Sequence, residues 1–301
     1  MDSQHILVPV DFSPASETAA RLAAGVAHQT GGRVSLVHVE SLPGAAILSV
    51  EPIVIPPAVW DEIAGDNRSA GEKRLEQLKQ DLSEAVPDLE VETDVSRGSA
   101  VDVILEAAKD AGLIVMGSHG STGAERLFFG SVAESVSRQA SCPVLVTRHD
   151  ARIEFKHVVV GVDLGKDSRA IANLAKSFVA KGGTLELVYV LPAPVLGTVD
   201  TALSGTGGKL QKLIEEARER AVAAMDALVA EIGTDMVSVA VEGVIESGRV
   251  EDSLLERSEK AGLVVVGAHS REQLRERVIG TTADRVLRHS SVPVLLYPTS
   301  A

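Results

Sequence analysis

The residues GSHG at 117–120, followed after nine intervening residues by GS at 130–131, form a glycine pattern that this chain contains twice. The second copy reads GAHS at 267–270 and, after nine further residues, GT at 280–281. Each copy directly follows a short β-branched run and directly precedes a helical stretch. Glycines between a strand and a helix let backbone N–H groups approach an anion, and the helix N-terminus adds unpaired donors and a positive dipole end. The pattern therefore predicts two phosphate-binding loops, one in each of two similar domains.

The two halves of the chain resemble each other well beyond these loops. A shift of 150 positions places residues 97–148 on residues 247–298 without a gap, and the two starts match at a shift of 152. A repeat of this length indicates duplication of a whole domain. We predict one domain at residues 1–150 and a second at residues 153–301, joined by a short polar hinge near residues 149–154.

Composition and charge narrow the range of partners. The 301 residues, 45% of them apolar, suit two α/β domains of about 150 residues each. The single cysteine, Cys142, permits no disulfide within the chain, is expected as a buried hydrophobe and favours a reducing compartment. A net charge of −13 disfavours nucleic acid and anionic lipid as partners. The N-terminus does not resemble a signal peptide, and Glu51 and three prolines interrupt the longest apolar stretch, residues 45–60. We expect a cytoplasmic protein that makes no membrane contact.

Strand and helix signals alternate along both copies. Runs rich in Val, Ile and Leu, such as residues 6–10 and 34–39, predict buried parallel strands. Ser13 and Pro14 predict the N-cap and the first position of the first helix. We predict the α/β fold class, with two similar doubly wound, Rossmann-like domains, each a five-stranded parallel sheet in the order 3-2-1-4-5. Ligands bind beyond the carboxyl ends of such strands where the order reverses, which places Asp11 opposite Gly117.

The ends of several elements are also predicted. A long helix is expected near residues 69–86, a helix over 168–180 and a strand over 263–266. The last strands of the two copies, residues 144–146 and 294–297, fall at sheet edges, and an apolar edge strand invites pairing. We predict that these two strands pair in a pseudo-twofold arrangement of the domains, with a homodimer of whole chains as a further expectation through other surfaces.

The combination of Asp11 after strand one, the Gly-x2-Gly-x9-Gly-Ser loop and the last-strand sequence PVLV resembles the universal stress protein family. The resemblance extends over nearly the whole chain, as a tandem of two such domains. It implies an adenine nucleotide alpha hydrolase-like fold, a regulatory role in the stress response, and ATP whose base lies near strands one and two. The Ser131 hydroxyl would donate to a phosphate oxygen or reach a Mg²⁺ ion that the phosphates carry. The positions implied for the first copy are Pro9, Val10 and Asp11 along the adenosine, Val39 at the adenine edge, Gly117, Ser118, His119 and Gly120 around the phosphates, and Gly130, Ser131 and Val132 at the helix start.

The second copy offers the corresponding positions with one departure. Ser270 replaces the second glycine, and a serine costs about 1 kcal/mol or more where a positive φ is required. Gly161 in place of Pro9 is compatible with the family. We expect tighter binding in the first copy, and we expect a side chain at Gly117 or Gly120 to obstruct the phosphates while leaving the fold intact. The implied positions of the second copy are Gly161, Asp163, Val190, Gly267, His269, Gly280, Thr281 and Thr282.

Plainer interpretations of these residues stay open. Asp11 can instead cap the first helix, and His119 and His269 can be loop histidines that contact no ligand. The histidines lack the spacing of metal ligands, so we expect no metal held by side chains alone.

Two functions stay open as well. The first is a nucleotide-binding regulatory protein whose ATP-bound state is recognised by a protein partner or by self-assembly. The second is a nucleotide-free scaffold, or a binder of a small apolar ligand covered by residues 45–60. An enzyme is disfavoured because no catalytic motif accompanies the loops, and a nucleotide without a positioned general base is hydrolysed slowly. We expect at most weak ATP hydrolysis.

Overall fold

The computed structural model describes residues 2–40, 57–119, 130–148, 155–192, 207–233, 239–269 and 280–299. The chain divides into two compact units, Met1–Ile153 and Glu154–Ala301, which we call unit 1 and unit 2. Strands and helices alternate within each unit.

Unit 1 contains a five-stranded parallel sheet with helices between successive strands. Its elements are β1 (Asp2–Pro9), α1 (Pro14–Thr30), β2 (Arg33–Glu40), α2 (Pro57–Ala85), β3 (Glu90–Arg97), α3 (Ala100–Ala107), β4 (Ala111–Gly117), α4 (Ser131–Gln139) and β5 (Val144–Thr147). The strand order is β3-β2-β1-β4-β5, and each neighbouring pair is parallel. The predicted fold class and strand order are confirmed.

Unit 2 repeats this sequence of elements. They are β6 (Phe155–Gly161), α5 (Ser168–Lys176), β7 (Val179–Pro192), α6 (Gly207–Ile232), β8 (Val239–Gly248), α7 (Val250–Ser258), β9 (Leu263–His269), α8 (Thr281–His289) and β10 (Val294–Thr299). Within the unit the order is β8-β7-β6-β9-β10, again with parallel neighbours.

The central strands are buried on both faces. All of β5 is buried, as are the successive residues Ile6, Leu7 and Val8 of β1. The edge strand β3 buries only Val91 and Val95. Uninterrupted apolar strands need helices on both sides of the sheet, which is why apolar runs without alternation predicted a parallel α/β arrangement.

The first helix has the ends that its sequence predicts. The Ser13 hydroxyl oxygen accepts a hydrogen bond from the Ser16 N–H at 3.2 Å, and Pro14 occupies the first position of α1. Gly31 ends the helix in the left-handed conformation, with a φ of 66°. An alanine-rich face of α1 packs on β1 and β4. This packing brings the first turn of α1 to the carboxyl end of β4.

Several boundaries differ from the prediction. α5 ends at Lys176 rather than at residue 180, because Val179 already pairs with Phe155 in β7. β9 and β10 continue to His269 and Thr299, beyond the predicted ends at residues 266 and 297. α2 begins at Pro57, well before residue 69, so the end of the apolar stretch at residues 45–60 is helical.

Candidate functional site

The carboxyl end of β1 leads into a tight turn around Asp11. The Val10 N–H donates to the Val37 carbonyl at 2.8 Å, so the chain follows β2 for one residue beyond β1. Asp11 Oδ1 accepts hydrogen bonds from the Ser13 N–H at 3.0 Å and from the Ser13 hydroxyl at 2.6 Å. Since Ser13 caps α1, the Asp11 carboxylate orients the capping hydroxyl and does not itself cap the helix.

Aromatic and cationic side chains hold this turn in place. Phe12 has a φ of 61°, which is uncommon for a bulky residue. Its ring centroid lies 4.5 Å from that of His38 and 4.0 Å from the guanidinium carbon of Arg74. His38 Nδ1 donates to the Val10 carbonyl at 2.7 Å. A Cβ on Gly71 would lie 3.1 Å from His38 Cδ2, so this glycine allows α2 to approach the imidazole. The strained turn is therefore supported from β2 and from α2.

The two ends of the first glycine pattern lie side by side. Gly117 pairs with Thr147 of β5, and the Ser118 N–H donates to the Thr147 carbonyl at 3.1 Å. The Gly130 N–H in turn donates to the Ser118 carbonyl at 2.9 Å. This hydrogen bond brings the start of α4 to the end of β4.

Gly117 also faces the first turn of α1. A Cβ on Gly117 would lie 2.9 Å from the Ala15 carbonyl carbon and 3.1 Å from the Ser16 nitrogen. This contact brings the end of β4 next to the turn that Asp11 organises, as the strand order predicts. It also qualifies one expectation: a side chain at Gly117 would press on the backbone of α1 and cost stability, so it would not affect the phosphates alone.

Both loops end at a helix whose N-cap is glycine. Gly130 before α4 and Gly280 before α8 lie outside the helical conformation, and neither cap carries a side-chain hydrogen bond. Within the described residues, the first-turn N–H groups thus have no side-chain cap at the positive end of the helix dipole, where anions bind. The next residues, Ser131 and Thr281, are exposed, so their hydroxyls are accessible from the same side.

His119 is a titratable residue of the first glycine pattern, close enough to Arg148, just after β5, to be affected by its charge. Its Nδ1 lies 2.8 Å from the hydroxyl oxygen of Ser118, whose side chain is almost fully buried at 1% exposure. Its Nε2 is enclosed and has no hydrogen-bond partner among the described residues. Burial, and then the positive charge of Arg148, lower the pKa of the imidazole. The neutral ring is held by Ser118 and keeps one nitrogen for a further polar contact.

Unit 2 contains a turn around Asp163 that corresponds to the turn around Asp11 but has different neighbouring residues. The Val162 N–H donates to the Val188 carbonyl at 2.9 Å, and Leu164 takes the positive φ, at 56°. Asp163 Oδ1 accepts from the Gly165 N–H at 2.8 Å and from the Ser168 hydroxyl at 2.9 Å. The recurrence of this turn in both units shows that the aspartate has a structural role at each strand-to-helix junction.

The remaining predicted positions that the structure describes lie at or near the ends of strands or in the first turns of helices. Pro9 ends β1, Gly161 ends β6, and Val39 and Val190 lie near the ends of β2 and β7. Val132 and Thr282 are half-buried in the first turns of α4 and α8. Gly120, Ser270 and the side chain of His269 lie outside the described residues.

Sequence reasoning missed the residues that support the first site from a distance. Arg74 is 62 residues away from Phe12 along the chain, and no local pattern joins the two. The signal for Phe12 itself was its place between Asp11 and Ser13, in the short turn that joins β1 to α1. In unit 2 the missed residue is Thr299, which lies beyond the predicted end of β10.

The described residues form no cluster suited to a metal ion. Among these residues, no group of three or more His, Cys, Asp or Glu side chains is arranged to hold one. None of the helices in this part of the chain has the length and apolar character required to cross a bilayer.

The sequence model of the universal stress protein family matches this chain twice, over residues 3–148 and 154–298. The chain belongs to the universal stress protein family. The resemblance inferred from the glycine pattern and the tandem arrangement are therefore confirmed.

Individual relatives agree with this assignment. A universal stress protein of Mycobacterium tuberculosis, Rv2005c, is 28% identical over 300 residues, which cover 97% of both chains. A shorter relative from Methanocaldococcus jannaschii, MJ0531, is 35% identical over 147 residues and covers 48% of this chain and 81% of its own length. The crystal structure of a universal stress protein from Archaeoglobus fulgidus covers 100% of both chains with a TM-score of 0.65 at 19% identity. At that identity the last comparison supports the fold alone.

Proposed function

We propose that unit 1 binds an adenine nucleotide, ATP in the first instance, and that this universal stress protein acts as a nucleotide-dependent regulator. The observation that carries the proposal is the Gly130 N–H to Ser118 carbonyl bond of 2.9 Å, which brings the glycine loop and the uncapped start of α4 together. A polyanion that lies there would meet the amides at the start of α4 and the exposed Ser131 hydroxyl. This combination of donors is typical of phosphate sites.

The phosphates are proposed to lie on the loop formed by residues 117–120 and on the start of α4. Ser131 would donate its hydroxyl to a phosphate oxygen or bind a Mg²⁺ ion that accompanies the nucleotide. His119 supports this placement because its enclosed Nε2 has no hydrogen-bond partner among the described residues. A buried polar atom of this kind normally finds a partner, and a phosphate oxygen would provide one.

The nucleoside is proposed to lie across the carboxyl ends of β1 and β2. Pro9, Val10 and Asp11 border this place on β1, and Val39 borders it on β2. The support of Phe12 by His38 fixes the backbone between the two strands. A site built on fixed backbone groups binds with little loss of conformational entropy.

Unit 2 is proposed as the weaker site. Gly280, Thr281 and Thr282 repeat the helix start of the first site, and Asp163 repeats its turn. The second glycine of the loop is replaced by Ser270. We therefore propose unequal affinities, with the tighter site in unit 1.

A matched pair of serine variants of the full chain tests the first site. Ser131→Ala removes the hydroxyl at the start of α4, and Ser141→Ala removes an exposed hydroxyl just beyond the other end of the same helix. A hydrogen bond to a charged group predicts about a tenfold or greater loss of ATP affinity for Ser131→Ala. Ser141→Ala should bind ATP as the unchanged protein does. Equal affinities of the two variants in calorimetric titration would refute the placement of the phosphates.

The nucleotide content of the purified protein separates the two functions that the sequence left open. Absorbance and mass spectrometry of the denatured protein should reveal an adenine nucleotide, or the ligand-free protein should take up ATP on titration. A scaffold or a binder of apolar ligands would do neither. The segment that motivated this rival, residues 45–60, lies outside the described residues except for the start of α2 at Pro57.

A further inference from the structure

The half-buried ring of Phe12 links the turn after β1 to the long helix α2. The guanidinium carbon of Arg74, on α2, lies 4.0 Å from the centre of this ring. Nη2 of the same guanidinium donates to the Phe12 carbonyl at 3.5 Å. Arg74 is exposed and follows directly in the helix on residues that face solvent, whereas its neighbour Leu75 is buried in the core of unit 1. An exposed cation on a firmly packed helix therefore contacts a turn with strained backbone, since Phe12 has a φ of 61°.

A second contact joins the same turn to α2. Gly71 and Arg74 lie three residues apart on this helix and thus share one face. Gly71 faces His38, because an added Cβ would lie 3.1 Å from Cδ2 of the imidazole. His38 packs against Phe12 with the ring centres 4.5 Å apart, and its Nδ1 donates to the Val10 carbonyl at 2.7 Å. One turn of α2 therefore supports Phe12 directly and Val10 through His38.

The corresponding position in unit 2 carries a leucine. Leu164 takes the positive φ there, at 56°. Its side chain has no aromatic face that a cation could contact. The unusual backbone conformation is thus common to both turns, whereas at this position only Phe12 can take part in a cation–aromatic contact.

We propose that α2 senses the occupancy of the first nucleotide site through Arg74, which acts as a positioning residue for that site. This inference rests on the proposed function, which places the nucleoside along Pro9, Val10 and Asp11. A nucleoside held there restricts the backbone next to Phe12, and a better ordered Phe12 strengthens its contact with Arg74. By reciprocity, the same contact favours the conformation of the turn that binds the nucleoside.

The strength of the Arg74 contact limits the size of this coupling. A cation over an aromatic ring at an exposed site corresponds to about a threefold change in an equilibrium constant. Through this route, neither the affinity for ATP nor the opening of α2 can change by more than the contact itself contributes. We therefore expect a coupling of up to about threefold, which adjusts the site without switching it on or off.

Three variants of the full chain test this coupling by hydrogen exchange with and without ATP and Mg²⁺. Arg74→Met removes the cation and keeps an unbranched side chain, whereas Arg74→Lys keeps a cation. Arg68→Met makes the first change at an exposed arginine of the same helix that pairs with Glu72. In the unchanged protein, saturating ATP should slow the exchange of the amides of residues 71–78 by up to about threefold. Arg74→Met should lose this response, Arg74→Lys should recover part of it and Arg68→Met should keep it.

The ligand-free protein provides an independent readout. The Ser13 N–H, which donates to Asp11 Oδ1 at 3.0 Å, should exchange about threefold faster in Arg74→Met than in Arg68→Met, with the amides of β4 unchanged in both. Equal exchange of the Ser13 amide in the two variants overturns the inference. ATP that binds without slowing exchange in α2, or that slows it equally in Arg74→Met, also overturns the inference while the proposed function stands. Failure of the unchanged protein to bind ATP refutes the proposed function, and the inference with it.

Discussion

Gly117→Ala and Gly267→Ala make the same chemical change at corresponding places of the two units, yet the structure predicts unequal results. At Gly117 the new methyl group would lie 2.9 Å from both the carbonyl carbon and the Cβ of Ala15. At Gly267 the nearest atoms are Thr299 Cγ2 at 3.0 Å and Ile171 Cδ1 at 3.5 Å. The neighbours of Gly117 include the backbone of a helix, whereas the neighbours of Gly267 are only the ends of side chains.

The loss of stability in each variant depends on how easily the neighbouring atoms can move away from the new methyl group. Carbon atoms prefer separations of about 3.5–4.0 Å, so relief at Gly117 requires the first turn of α1 to shift by about 0.5 Å or more. Overpacking that displaces backbone costs about 1–3 kcal/mol. At Gly267 small rotations of two side chains relieve the contact, and the gain from removing a flexible glycine offsets part of the cost by about 0.5–1 kcal/mol. We expect a loss of about 2 kcal/mol for Gly117→Ala and less than about 1 kcal/mol for Gly267→Ala.

Hydrogen exchange with mass spectrometry measures this difference in the intact chain. It reports the free energy of opening for each unit separately, which a single unfolding curve of a two-domain protein does not. Amides of α1 and β4 should lose protection in Gly117→Ala, whereas those of α5 and β9 should change little in Gly267→Ala. If Gly267→Ala loses as much protection as Gly117→Ala, the argument that backbone proximity sets the cost is refuted.

Three further predictions concern pH, thiol chemistry and assembly. Since the pKa of His119 is lowered in the ligand-free protein, phosphates that raise it make binding take up a proton. ATP affinity should therefore increase as the pH falls from about 7.5 to about 6, and titrations of His119→Gln should show a smaller increase if the contact exists. Burial raises the pKa of Cys142 to about 11. Iodoacetamide at pH 8 should therefore modify this thiol in the folded protein at a small fraction of the rate measured for the protein unfolded in urea. Equal rates would contradict the burial of Cys142. Leu145→Pro combined with Leu295→Pro should remove backbone hydrogen-bond donors from the two strands and separate the strand edges that we predict to be paired. The radius of gyration measured by small-angle scattering should then increase. A double variant as compact as the unchanged protein, with an unchanged circular dichroism spectrum, would count against edge pairing.

The sequence by itself determined the features that repeat or are local. Apolar runs without alternation predicted buried parallel strands, and the shift of 150 positions predicted two similar domains. Ser13 and Pro14 predicted the start of α1, because a capping side chain bonds to a backbone N–H only three residues away. The two glycine patterns predicted loops at strand ends for the same reason: their conformational demands lie within a few residues.

Only the tertiary structure decided what fills the space between elements. The positive φ of Phe12 is held by side chains from β2 and α2, and the nearest cation, Arg74, lies far away in sequence. Thr299 reaches Gly267 because α5 begins late and leaves room there. Such contacts depend on the distances at which whole helices and strands pack, and these distances result from many side chains together. Two glycines at the same place in a nearly identical sequence pattern, Gly117 and Gly267, therefore have different neighbours, since each is surrounded by the elements packed against it.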